Sequence, residues 1–372
     1  MAAEIVFLLS AAFVLYVLAG YPLLLAVRSR DGGQPVAKAP FKYSVSVLLA
    51  VHNGERFIAE KLRTIFELDY PRNLLQVIVI SDGSTDSTEQ MVKEFGRGVE
   101  LISVPGGGKA AALNAGMARA SGHILFFTDV RQRLAPDSLR NLVACFSDPE
   151  VGVASGELII LDGVTREEAS VGLYWCYEKW MRRRLSQIDS VMGATGCIYC
   201  MRRSLAVPMP ADTLLDDVYL PIATFLRGFR VIWDGSAKAY DYPTPLDAEF
   251  RRKVRTQAGV YQLIGAYPQL LGPKNRMWLD FASHKLGRLL LPFALILIAI
   301  SSFFLPDPWR SLALLGQAAF YGLALLDLVM PDSFPMKRLT SPIRTFVVLM
   351  AAALCAVSIL VRPASSFWKP RA

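Results

Sequence analysis

Four short stretches of the chain hold residue types suited to an anionic ligand: His52-Asn53, Asp82-Gly83, Pro105-Gly106-Gly107-Gly108-Lys109 and Thr128-Asp129. The N–H groups of a glycine loop ending in lysine match phosphate oxygens, and a helix N-terminus behind them favours negative charge. A carboxylate beside them suits a divalent cation shared with a diphosphate. Each stretch taken singly has a bland alternative. Ser84, Thr85 and Asp86 followed by Glu89 also form a helix-capping pattern, and Gly106-Gly107-Gly108 also reads as a plain turn. Four such stretches in register are harder to explain that way, and together they suit a diphosphate. His52, His123 and His284 lack ligand spacing, and Cys197-Ile198-Tyr199-Cys200 is a lone C-x-x-C, so no zinc or redox site is expected.

These stretches can meet only if strands end at them. Short β-branched or apolar runs at 45–49, 77–80, 99–104 and 124–127 alternate with helical patterns at 55–67, 88–95, 109–120 and 136–146. Such alternation predicts an α/β domain with a mostly parallel sheet and helices on both faces. Near-continuous apolar strands predict a sheet covered on both sides. Ligands in such sheets bind at the carboxyl ends of the strands, where the four stretches fall.

The chain has 372 residues, of which 53% are hydrophobic and 19% charged, with a mean hydropathy of +0.35. An ordinary soluble domain carries about 25% charged residues, so the composition describes a globular domain with membrane segments attached. It excludes a disordered chain, a collagen-like repeat and a disulfide-stapled mini-protein. Forty Lys and Arg against 32 Asp and Glu give a net charge of +8. In a membrane protein that excess reads as cytoplasmic loops beside anionic lipid, not as nucleic-acid binding. Five cysteines fit free thiols in a reducing compartment.

Residues 5–27 are uncharged and long enough to span a bilayer. The leader lacks a positive charge and no cleavage site precedes Arg28, so an uncleaved anchor is expected. Glu4 precedes the run and Arg28, Arg30, Lys38 and Lys42 come after it, which puts the N-terminus outside and the chain from Arg28 onward in the cytoplasm. Apolar runs at 289–306, 311–326 and 345–361 predict three further spans, with Lys337, Arg338 and Arg344 in a cytoplasmic loop before the last. The predicted organisation is an anchor at 1–28, a polar domain at 41–248 and interfacial amphipathic helices at 249–285. A membrane region at 286–362 and a tail at 363–372 complete it.

The motifs resemble those of family 2 glycosyltransferases with the GT-A fold. Ser46-Val47-Leu48-Leu49-Ala50-Val51-His52-Asn53-Gly54-Glu55 is similar to the family's opening, and Ser81-Asp82-Gly83-Ser84-Thr85-Asp86-Ser87-Thr88 continues it. Gly108-Lys109-Ala110-Ala111-Ala112-Leu113-Asn114-Ala115-Gly116, Phe127-Thr128-Asp129 and Leu215-Asp216-Asp217-Val218 come next in the family's order. The resemblance implies a donor pocket formed by His52, Asn53, Glu55, Asp82, Lys109, Asp129 and Arg131, with Asp82 at the nucleotide and Lys109 near the diphosphate. It implies that Asp129 holds a divalent cation (Mg²⁺ or Mn²⁺) and that Asp217 is the catalytic base, with Asp216 beside it.

Two departures stand out. Arg131 replaces the second carboxylate of the D-x-D motif, and Arg252-Lys253-Val254-Arg255-Thr256 replaces a Q-x-x-R-W ending. Mg²⁺ needs only one or two carboxylates when substrate phosphates complete its shell, so Asp129 alone can serve. Arg131 either grips phosphate bidentately or faces solvent, and weaker metal dependence than in D-x-D members is expected. Arg252 and Arg255 are assigned to the acceptor or interface side.

Sugar transfer requires a base for the acceptor hydroxyl, typically worth about 10²–10⁴ in rate. Asp217 fits this role better than that of a helix cap, because two adjacent aspartates exceed what a cap needs. Trp175 and Trp180 share most of one helical face and suit a sugar ring, or else form a core stripe. Gly193 and Thr195, in Gly193-Ala194-Thr195-Gly196, admit a substrate close to the backbone or make a turn. Arg182-Arg183-Arg184 reads as a solvated or lipid-facing patch.

The expected protein is an inverting transferase of the inner membrane with a cytoplasmic catalytic domain. It would pass a sugar from a UDP-sugar to a lipid-linked glycan or polysaccharide acceptor. A processive polysaccharide synthase is the nearest alternative, and a nucleotide-sugar-binding scaffold without catalysis is an alternative of another class. A soluble Rossmann oxidoreductase is remote, because no G-x-G-x-x-G comes after the first strand.

Overall fold

The computed structural model describes residues 1–31, 33–40, 42–96, 98–161, 166–242, 246–331 and 334–367, except for the side chains of 31, 166–175 and 246–247. The chain divides into two compact units. One comprises Asp31–Leu161 and Arg182–Tyr242, and the other Met1–Arg30, Asp162–Met181 and Pro243–Ala372.

The first unit is built on eight strands: β1 Val45–Val51, β2 Leu75–Asp82, β3 Val99–Val104, β4 Ile124–Phe127, β5 Arg133–Leu134, β6 Val151–Ile160, β7 Tyr199–Arg202 and β8 Arg230–Asp241. They lie in the order β3-β2-β1-β4-β7-β6-β8-β5. The central strands are β-branched and aromatic, and they are buried on both faces as a helix-covered parallel sheet requires. β1 runs parallel to β2 and β4, and β2 parallel to β3. β7 then enters antiparallel to both β4 and β6, β8 runs parallel to β6, and β5 antiparallel to β8.

The register positions the site. Val51 pairs with Ser81, Asp82 with Val104, and Leu48 with Phe127, so β1, β2, β3 and β4 finish along one edge. The loops leaving that edge are the four stretches singled out from the sequence. Helix Glu55–Phe66 comes after β1 and buries Ile58, Leu62 and Ile65 beneath the sheet, together with Lys61. Gly83 turns the chain at the end of β2 with φ +62°. A Cβ there would lie 2.8 Å from the backbone nitrogen of Gly106, so both conformation and space demand glycine.

The second unit contains four helices long and apolar enough to cross a membrane: Ala2–Arg30, Trp278–Ser302, Trp309–Val329 and Lys337–Leu360. Four spans were expected, but the second begins at Trp278 and not near residue 289. Near its start Asp280 Oδ1 accepts hydrogen bonds from Tyr21 Oη at 3.1 Å and Arg28 at 2.8 Å. Residues 278–285, read from the sequence as interfacial, are thus the start of that helix. Asp327 near the end of the third span is similarly met by the hydroxyls of Thr340 at 2.6 Å and Ser341 at 3.0 Å, and by Arg344 at 3.3 Å. Helix Leu246–Ala266 precedes the second span and carries a Glu249–Arg252 ion pair at 2.7 Å.

Candidate active site

Two loops meet where β1 and β2 end. His52 Nδ1 lies 2.7 Å from the carbonyl oxygen of Asp82. Asn53, the described non-glycine residue with positive φ (49°), accepts a hydrogen bond from Thr85 N at 2.8 Å through Oδ1. Glu55 Oε2 accepts from Ser87 N at 3.1 Å, and Asp86 Oδ2 accepts from Glu55 N at 3.0 Å. Asn53 and Glu55 therefore hold the 84–88 turn in place, while the exposed His52 ring sits over the end of β2. Asp82 is buried, and its Oδ1 accepts from Gly107 N at 2.8 Å, which ties the glycine loop to the strand edge.

At the end of that loop Lys109 opens helix Lys109–Arg119 and reaches two carboxylates at once. Its Nζ stands 2.9 Å from Asp129 Oδ1 and 3.1 Å from Asp216 Oδ1. Burial alone would lower its pKa, but the charges of Asp129, Asp216 and Asp217 outweigh burial and hold it above the ordinary lysine value. Asp216 and Asp217 begin helix Asp216–Leu226. Burial, and then the Asp216 charge, push the Asp217 carboxyl up to about 6 against the pull of Lys109 and Arg182. A carboxylate tuned to that range is a competent general base near neutral pH.

The Gly193-Ala194-Thr195-Gly196 loop lies against this base. Ala194 N donates to Asp217 O at 2.7 Å, and a Cβ on Gly196 would stand 2.9 Å from Asp217 Oδ2. Gly193 has φ +129° and packs against Val218. Thr195 donates to Gly156 O at 2.9 Å and accepts from Arg182 NH1 at 2.9 Å. Arg182, read from sequence as part of a solvated or lipid-facing patch, is instead half-buried beside the base. No pattern in the triple arginine distinguishes it from its neighbours; only the fold does.

Arg131 is committed elsewhere. Its guanidinium pairs with the buried carboxylate of Asp241, which also accepts from Gln132 Nε2 at 2.7 Å. Neither sequence reading, a phosphate grip or a solvent-facing arginine, describes that contact. Beneath the same turn lies Lys61, which sequence reading passed over: Nζ donates to Thr128 Oγ1 at 2.6 Å and to Gln132 O at 2.7 Å. Burial pushes its pKa down to about 8, so it remains charged at neutral pH. Trp180, Arg252 and Arg255 belong to the other compact unit, and the side chain of Trp175 lies outside the described residues.

Asp129, with its side chain 37% exposed, presents the turn's carboxylate to solvent. Among the described residues no group of three or more His, Cys, Asp and Glu side chains could hold a metal by itself. One carboxylate, already paired with Lys109, fits a Mg²⁺ or Mn²⁺ ion only when the oxygens of a bound diphosphate complete its shell, and these residues fit in that reduced form.

Residues 46–207 match the family described as Glycosyl transferase family 2. A probable glycosyltransferase of Bacillus subtilis, YdaM, is 25% identical over 232 residues, covering 58% of this chain and 54% of its own length. A poly-beta-1,6-N-acetyl-D-glucosamine synthase of Staphylococcus aureus is 23% identical over 233 residues, 59% of this chain and 55% of that protein. The chain thus spans about half the length of these curated relatives. Among solved structures, mannosyltransferase PcManGT from Pyrobaculum calidifontis, in complex with GDP-Man and Mn²⁺, superposes with a TM-score of 0.74 at 24% identity. That superposition covers 95% of this chain and 99% of PcManGT, a likeness of fold.

Proposed function

We infer that this chain, whose residues 46–207 form a family 2 glycosyltransferase domain of the GT-A fold, transfers a sugar from a nucleotide-diphosphate donor to a membrane-associated acceptor with inversion at the anomeric carbon. The observation that carries the reading is one ammonium, Lys109, within 3.1 Å of carboxylates from both the β4 edge and the Asp216-Asp217 helix start. Donor-side and base-side residues therefore share one space.

In the proposed step Asp217 accepts the acceptor hydroxyl proton as that oxygen attacks the anomeric carbon. The new C–O bond forms while the bond from that carbon to the diphosphate oxygen breaks, and the electron pair leaves with the diphosphate. Lys109 and the N–H groups of the glycine loop stabilise the charge that develops there, a contribution strongest in a water-poor site. Asp82 fixes the glycine loop, and Arg182 steadies the loop against Asp217. A divalent ion held by Asp129 and the diphosphate would supply further charge neutralisation.

The donor is assigned as a UDP-sugar, and the acceptor as a lipid-linked glycan or a growing polysaccharide, which the membrane helices suit. The enzyme is placed in the inner membrane with its N-terminus outside and its catalytic domain in the cytoplasm. A screen of UDP- and GDP-sugars, reading nucleotide release from detergent-solubilised protein, tests the reading. Asp217→Asn should cut turnover at least 10²-fold while leaving UDP affinity within a few-fold. Unchanged turnover would remove the base assignment. Donor binding without turnover across a broad acceptor panel would favour the scaffold that Arg131, in place of a carboxylate, suggests. A ladder of products would identify a polymerase, a single shifted lipid one transfer.

A further inference from the structure

Lys61 occupies a position that helical patterning reserves for apolar side chains. On helix Glu55–Phe66 it shares the inward face with Ile58, Leu62 and Ile65, and it is itself 1% exposed. Among the described residues no carboxylate pairs with it directly; its partners are a hydroxyl and a carbonyl. A buried ammonium whose hydrogen-bond partners are all neutral costs stability, and a methionine or leucine would fill the space more cheaply. Packing therefore does not account for a lysine here.

Its two partners do. Thr128 immediately precedes Asp129, and Gln132 comes directly after Arg131, so Nζ spans the base of the turn that presents Asp129. Thr128 Oγ1, while accepting from Lys61, donates to Cys197 O at 2.8 Å. Cys197 adjoins Gly196, where an added Cβ would stand 2.9 Å from Asp217 Oδ2. One hydrogen-bonded line thus passes under both halves of the site, from the helix after β1 to the loop behind the base.

We propose that Lys61 is a positioning residue for sugar transfer, its buried ammonium fixing the 128–132 turn so that Asp129 meets the donor diphosphate in one attitude. This rests on the transfer function proposed above. Three variants test it: Lys61→Met, which keeps length and loses the donor; Thr128→Val, which removes the acceptor at constant shape; and the two combined. Each is measured for Tm in detergent, for kcat and donor KM, and for UDP and GDP affinity by calorimetry.

For Lys61→Met, Tm is expected to hold or rise while kcat/KM falls about 10²-fold, the scale on which a small misplacement acts. Thr128→Val should show a smaller loss of the same kind, and the double variant should be no worse than Lys61→Met, since all three cut one line. Activity and nucleotide affinity within threefold of the parent would overturn the proposal. So would a fall in Tm proportionate to the lost activity, which marks a structural lysine. If Lys61→Met does not fold, Thr128→Val decides by the same criteria. If the parent binds UDP or GDP without turnover, the transfer reading fails while the affinity comparison still decides the role of Lys61.

Discussion

Asp217 titrates where the proposed role of general base requires. An ordinary aspartate at pH 7 is ionised but a weak base, whereas desolvation and the neighbouring Asp216 charge raise this one to about 6. The base must be deprotonated to act, so kcat/KM should decline about tenfold per pH unit on the acid side of that value and level off above it. A pH–rate profile on the parent reads this directly, and a flat profile from pH 5 to 8 would exclude Asp217 as the group that takes the proton. The Asp216-Asp217 pair was legible in the sequence because adjacent acids at a helix start are conspicuous. Lys61 was not. A lysine in an amphipathic run reads as an outward residue, and only the packed helix shows it pointing inward with Thr128 above it.

At the scale of elements, the strands β1 to β4 and the helices between them could be read to within two residues at each end, because the strands are β-branched or apolar runs ending in turn signals. β5 to β8 could not. β5 has only two residues, β6 and β8 are interrupted by glycine and polar residues, and β7 runs against its neighbours outside the strand–helix alternation. Yet that return carries the Gly193–Gly196 loop to the base, which makes Gly196 a sensitive position. Its missing Cβ would meet Asp217 Oδ2, the mobile end of a side chain, not backbone. Gly196→Ala should therefore leave stability within about 1 kcal/mol of the parent while lowering kcat about 10- to 10²-fold by displacing the carboxylate. Thermal melts and initial rates measured side by side check it, and an active variant would show that Asp217 has room to spare.

For the molecule as a whole, hydropathy located four helices long and apolar enough to span but put the start of the second near residue 289, because up to Lys285 basic residues mix with Trp278 and Phe281 as in an interfacial helix. Asp280 is instead buried against Arg28 and Tyr21 within the same unit, and partners of that kind are what make a charge tolerable at membrane depth. The proposed orientation rests on Arg28 and Arg30 after the first apolar helix. With the exposed Cys176 and Cys355 exchanged for serine, an Ala3→Cys label should react with an impermeant maleimide in intact cells. A Glu94→Cys label should react only after lysis, and the reverse pattern would invert the topology.

In the proposed reaction Lys109 would also link donor binding to acidity. A single side chain that neutralises Asp129 and Asp216 together cannot do so undiminished once phosphate oxygens claim it. As the ammonium turns toward the incoming anion, Asp217, whose carboxyl Lys109 helps to hold down, would bind its hydrogen ion more tightly. Donor capture would then itself be a protonic event, and the acid limb of kcat would lie at higher pH than that of kcat/KM.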